Sequence, residues 1–374
     1  MRSITRAGAV AAAAMATLAI ASGAAPAFAA ETASPLFVQS DNLTGNTIVA
    51  YERGSDGTLT QGGVYPTDGL GGQLEGSVVD HLASQGSLAY DHQDKLLYAV
   101  NAGSGTVSVF AVYGDHLALR QVIASGGKFP ASIAVHEGLV YVLNSEEGGR
   151  LQGYRVLAGY LVPIAGSSRA LGLTTGAEPV FVHTPGQVSF SPNGSQLIVT
   201  TKASGSDIDV FSVTSGGTLS STPVVNSEPE AVPFAVTFDR EGHLIVAEAG
   251  GWLASFTLEA NGQLAQLDQT ATSQAATCWV VAADGHFYAS NAGSGTLTSF
   301  RSSAGGALLT SLGNTPTDPG TVDAAASPNG QFVYVQTGLN GVVDEFAVGP
   351  EGVLTAIGSI EVPGGVGGEG IAIG

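Results

Sequence analysis

The chain has 374 residues, with 12 Lys and Arg against 31 Asp and Glu and a formal net charge of −19. So acidic a surface repels the phosphates of nucleic acid and of anionic membranes, and neither is expected as a partner. Cys278 is the single cysteine, which excludes an intrachain disulfide framework, and no C-x-x-C, H-E-x-x-H or EF-hand pattern occurs.

The first element reads as a secretory leader. Arg2 and Arg6 precede the apolar, alanine-rich stretch Ala7–Ala25, and Ala27-Phe28-Ala29 fits a small-x-small cleavage site. Residues 1–29 would be removed, and a mature domain spanning 30–374 would be secreted, as an extracellular or cell-wall-associated protein. Losing the two arginines takes the net charge from −19 to −21. Nothing later is apolar for the ~20 residues a membrane helix needs, so the mature chain is expected to have no span.

After the leader, short β-type runs recur. The middle of the second strand of each unit falls at Phe37, Tyr98, Tyr141, Ile198, Ile245, Tyr288 and Tyr334. The spacings run from about 43 to about 61 residues, as expected of a radial repeat. Asn-Ala-Gly-Ser-Gly-Thr occurs twice, at Asn101–Thr106 and Asn291–Thr296. The turn Ser-Pro-Asn-Gly also occurs twice, at Ser191–Gly194 and Ser327–Gly330. A Gly-x-Leu signal before a fourth strand recurs at Gly57, Gly217, Gly262, Gly306 and Gly352. Runs such as Leu96–Val100 are apolar on both faces, as a sheet packed between two neighbours requires. The fold class is therefore all-β: a seven-bladed β-propeller of four-stranded antiparallel blades. The chain enters at a second strand, Leu36–Gln39, and ends in an orphan first strand, Gly370–Gly374. The C-terminal strand is expected to pair into the first blade and close the ring.

Two long connections, Pro66–Gly86 and Ala165–Pro185, map to between-blade loops on one face, here called the top. The first carries Asp80 and His81, the second Arg169 and His183. The loops after the second strands add Asn101, Lys202, Glu248 and Asn291, and Cys278 and Trp279 begin a first strand. Lys202, one of three lysines in the mature chain, suits an anion or a polarised carbonyl. Glu248 and His183 suit a general base. These three form the expected catalytic set, with His81, Asn101, Trp279 and Asn291 as substrate contacts. Trp279 would stack on a ring-shaped ligand, and Cys278 reads as packing. Asp318, Asp323 and Glu369 have no specific metal-ligand spacing, so no metal site is expected. The Gly365–Gly370 match to a dinucleotide fingerprint fails because no helix can follow it.

Four segments carry a family resemblance: Leu97–Phe110, Gly186–Lys202, Pro233–Ala249 and Ala276–Val281. They resemble the lactonase-type seven-bladed propellers, the group of propeller 6-phosphogluconolactonase and 3-carboxy-cis,cis-muconate lactonising enzyme, and within it the exported bacterial members. The resemblance implies hydrolysis, or reversible formation, of an intramolecular ester of a small lactone or sugar-like ligand without any cofactor, and the chain is expected to act as a monomer. The chain departs from the group where an acidic residue usually precedes the lysine; Thr201 stands there. No arginine matches the group's pattern either. A non-catalytic propeller binding a ligand, glycan or protein at the same mouth is the alternative reading.

Overall fold

A computed structural model describes residues 34–303 and 308–374; the expected leader lies outside the described residues. Its strands form seven sheets arranged as the blades of a ring. Blade 2 shows the plan: Leu88–Asp91, Leu96–Asn101, Thr106–Tyr113 and His116–Ala124 run antiparallel from the channel outward. Burial falls along that path. Leu96–Asn101 is buried at every position, whereas His116–Ala124 mostly faces solvent. Second strands are covered by the adjacent blades on both faces, which is why they carry no polar alternation.

All seven marker residues fall in second strands. Three of the four marker tyrosines tie their blade to the next. Tyr141, Tyr288 and Tyr334 donate their hydroxyls to the turn carbonyls of Gly217, Gly352 and Gly57. The Gly-x-Leu signal opens the fourth strand in blades 1, 5 and 7. In blade 4 the fourth strand is delayed to Val224–Ser227, and Leu219 makes only an isolated bridge to Val213. Gly306 lies outside the described residues.

The ring closes as the ends of the chain imply. Ile371–Ile373 pairs antiparallel with Leu36–Gln39 and becomes the channel-side strand of blade 1. The Gly374 amide donates to Pro35 O at 2.8 Å, and the Gln39 amide to Gly370 O at 2.8 Å.

Candidate functional site at the top of the ring

The Pro66–Gly86 connection is folded into the channel mouth as a plug rather than lying over it as a loose cover. Its backbone exchanges hydrogen bonds with blade 1 (Asn46 N to Gly69 O, 2.9 Å) and blade 2 (Gly103 N to Leu70 O, 3.1 Å). Ser84 Oγ donates to Ala131 O of blade 3 at 2.8 Å, and Ser84 O accepts Trp279 Nε1 of blade 6 at 2.6 Å. Gln85 then crosses to blade 6, where its amide pairs with the N–H and C=O of Val280 at 3.0 and 3.1 Å. At blade 7 the plug passes so close that a Cβ on Gly338 would overlap the Val79 carbonyl oxygen.

Lys202 fastens this plug to the second long connection. It stands two residues beyond the strand Gln196–Thr200, in a short turn with φ of 50°, which swings the side chain inward. It is 2% exposed. Its ammonium donates to Ala83 O (2.6 Å), Phe181 O (2.6 Å) and Thr184 Oγ1 (2.9 Å), and lies 5.2 Å from the centre of the Phe234 ring. Burial lowers its pKa to about 7, against the opposing pull of Asp80 and Cys278.

Asp80, on the plug, acts on Lys202 through its charge. It is buried and accepts the Leu82 and Ser84 amides at 2.8 and 2.9 Å. Burial raises its carboxyl pKa, while those amides and the Lys202 charge hold it down. Asp80 and Lys202 interact through space, with no direct ion pair. Asp80 also lines a cavity of about 260 Å³ walled by Val78, Val79, Phe181, Phe234 and Trp279. Cys278 lines it too, its thiol pushed up to about 12 by burial and therefore neutral. Trp279 packs on Phe234 with ring centres 4.9 Å apart.

The other expected residues are distributed elsewhere. Glu248 still belongs to the strand Leu244–Glu248, so strand alternation lays its carboxyl on the blade face, where it accepts Gln269 Nε2 at 2.7 Å. Burial raises its pKa to about 7, but no contact among the described residues joins it to Lys202 or His183. Half-buried His183 lines a second cavity, of about 530 Å³, with Glu146, Glu147 and Thr184. Only Thr184 connects that cavity to Lys202. Asn101 and Asn291 are wholly buried with both ends of their amides engaged: Asn101 donates to Thr106 and Ser108 and accepts from Asn46 of blade 1, and Asn291 donates to Thr296 and Thr298 and accepts from Thr277. The twice-repeated hexapeptide is thus a turn device, and its asparagines present nothing to a ligand. Half-buried His81 lies against Gly367, with Nδ1 buried and unpartnered; burial lowers its pKa. Arg169 is a tie between blades, donating through Nε to Ser220 O at 2.6 Å and through its guanidinium to Leu219 O.

Below the plug, Asp323 and Glu369 share a hydrogen bond, and Asp41 accepts the Glu369 amide at 2.9 Å. Asp318 stands apart, its amide bonded to Asp344. Among the described residues no set of His, Cys, Asp and Glu is arranged to hold a metal ion.

The sequence matches no protein-family model and no curated protein. Solved structures match over nearly the whole ring. A candidate 6-phosphogluconolactonase from Bacteroides fragilis has 18% identity and a TM-score of 0.73, over 92% of this chain and 98% of that one. The periplasmic gluconolactonase of Pseudomonas aeruginosa has 17% identity and a TM-score of 0.70, over 91% and 98%. A protein from Lactobacillus plantarum has 21% identity and a TM-score of 0.73, over 91% and 98%. At these identities the likeness establishes the seven-bladed fold.

Proposed function

We propose that the chain is a lactonase, opening the ring of a small lactone in the 260 Å³ cavity with Asp80 and Lys202 as its chemical pair. The observation that carries this reading is the placement of a buried carboxylate in the cavity wall, with a buried ammonium behind it. Ionised Asp80 takes a proton from water as the oxygen bonds to the ester carbonyl carbon. Negative charge developing on the carbonyl oxygen is stabilised through space by Lys202, whose three donors are already committed to Ala83, Phe181 and Thr184. When the ring C–O bond breaks, Asp80 returns the proton to the leaving alkoxide, and the product is a hydroxy acid. The two solved structures named as lactonases support the choice of substrate class. The same reading has the mature chain begin at Ala30 and act outside the cell as a monomer; N-terminal sequencing of protein recovered from the medium or cell wall tests the cleavage.

Proton release from a panel of lactones is the direct test. Asp80→Asn should lower kcat by about 10²–10⁴-fold, and Lys202→Met by about 10²-fold, with thermal unfolding confirming that both variants fold. Asp80 ionises and Lys202 loses its proton both at about pH 7, so the rate should follow a narrow bell centred there; Lys202→Met should lose the alkaline fall. Undiminished turnover in Asp80→Asn would remove Asp80 from the chemistry. The internal commitment of all three Lys202 donors favours a second reading, a binding propeller without turnover. Ligand binding with no proton release from any lactone would select it.

A further inference from the structure

Building on that reading, we infer that this cavity selects a neutral, apolar lactone, with a short alkyl or fused aryl substituent, over a sugar lactone or its phosphate. Apart from Ser77, Asp80 and Cys278, the lining side chains carry no polar group other than the indole N–H of Trp279, and each hydrogen-bonding group is already engaged or weak. Ser77 Oγ donates to Leu74 O at 2.8 Å. Trp279 Nε1 is bound to Ser84 O, and Asp80 holds two backbone amides. Cys278 offers only a neutral thiol. The four hydroxyl-bearing carbons of an aldonolactone would enter this space with almost no partners, and buried hydroxyls without partners are strongly disfavoured.

A phosphate fares worse. The buried ammonium nearest the cavity has no proton to spare, and no other cation lines the wall. Arg169 is spent on blade 4 carbonyls, and Lys128 faces Glu147 at 3.3 Å beside the other cavity. Phe181, Phe234, Trp279, Val78 and Val79 instead offer the contact surface that an alkyl or aryl group gains from. The volume, about 260 Å³, lies just below the range for drug-sized ligands, which suits one ring and a short tail.

The experiment compares γ-nonalactone, dihydrocoumarin, glucono-δ-lactone and 6-phosphogluconolactone on the full mature chain. It follows proton release together with tryptophan fluorescence, Trp279 being one of two tryptophans. The two apolar lactones should exceed glucono-δ-lactone in kcat/KM by about 10²-fold, and the phosphate should not be opened. Trp279→Ala should raise KM for the apolar pair about tenfold with kcat nearly unchanged, while Trp279→Phe retains most of the affinity. Equal or better turnover of glucono-δ-lactone or its phosphate overturns the substrate class and leaves the lactonase reading standing. Fluorescence change with the apolar pair alone, and no turnover, upholds the apolar class and overturns the lactonase reading. Neither binding nor turnover of any of the four overturns both.

Discussion

Tyr98 and Tyr334 stand at the same place in their blades, yet one hydroxyl has a partner and the other has none. Tyr334 donates to Gly57 O at 2.7 Å; the Tyr98 hydroxyl is buried without a hydrogen bond. Tyr334→Phe should therefore cost about 1 kcal/mol, and Tyr98→Phe should be neutral or stabilising by up to about 1 kcal/mol. Urea unfolding of the two variants measures the difference, and equal effects would show that these hydroxyls do not act through their bonds. The same scale explains what could be read of the site beforehand. Lys202 was legible because lysine is scarce and this one follows a strand. Glu248 looked equivalent by position, but it remains within its strand while Lys202 has passed beyond one, and that offset turns one side chain across its blade and the other inward. Asp80 was not legible as the partner of Lys202. It rides on an insertion with no period, whose path is set by tertiary contacts with nearly every blade.

Among elements, the strands were the most legible because burial between blades imposes unbroken apolar runs. The irregularities within them were not. Five fourth strands carry a one-residue bulge, at Gly62, Arg120, Leu267, Leu312 and Ile357, each facing the step into a third-strand aromatic: Tyr51, Phe110, Phe256, Phe300 and Phe346. The recurrence of an aromatic at the facing position is a signal the sequence does hold, since the bulge bends and twists the outer strand at the same place in each of these blades. Ile371–Ile373 is the shortest of the channel-side strands alongside Val188–Phe190, but it alone completes blade 1. Deleting residues 371–374 leaves Leu36–Gln39 with a bare edge. The melting temperature should fall by at least about 10 °C, and aggregation should increase; a calorimetric scan unchanged by the deletion would show that closure contributes little.

The whole molecule carries an unusual number of buried acids. Burial raises Asp41 to about 8, Asp209 and Glu248 to about 7 and Asp344 to about 6, and lifts Asp323 and Glu369 as a pair. The folded chain then keeps protons that the unfolded chain releases above about pH 4, so these groups favour folding at low pH and withdraw that support as pH rises toward 8. Lys202 has the opposite sign. Its folded value of about 7 lies below its ordinary 10.5, so it adds stability with rising pH only between those values. The acids dominate below pH 8 because they are more numerous, each tenfold shift in proton affinity being worth about 1.4 kcal/mol. The melting temperature should be higher at pH 5 than at pH 8, and the double change Asp41→Asn with Glu369→Gln should flatten that slope. A higher value at pH 8 would show that these carboxyls are ionised in the native state.

Because the innermost strand of the first blade is supplied by Ile371–Ile373, two segments more than 330 residues apart must meet before that blade is whole. Until they meet, the circle carries an unmatched β-edge on either side of the gap. Closure is thus the longest-range pairing in the fold, and the ring is complete only once Ile371–Ile373 reaches Leu36–Gln39.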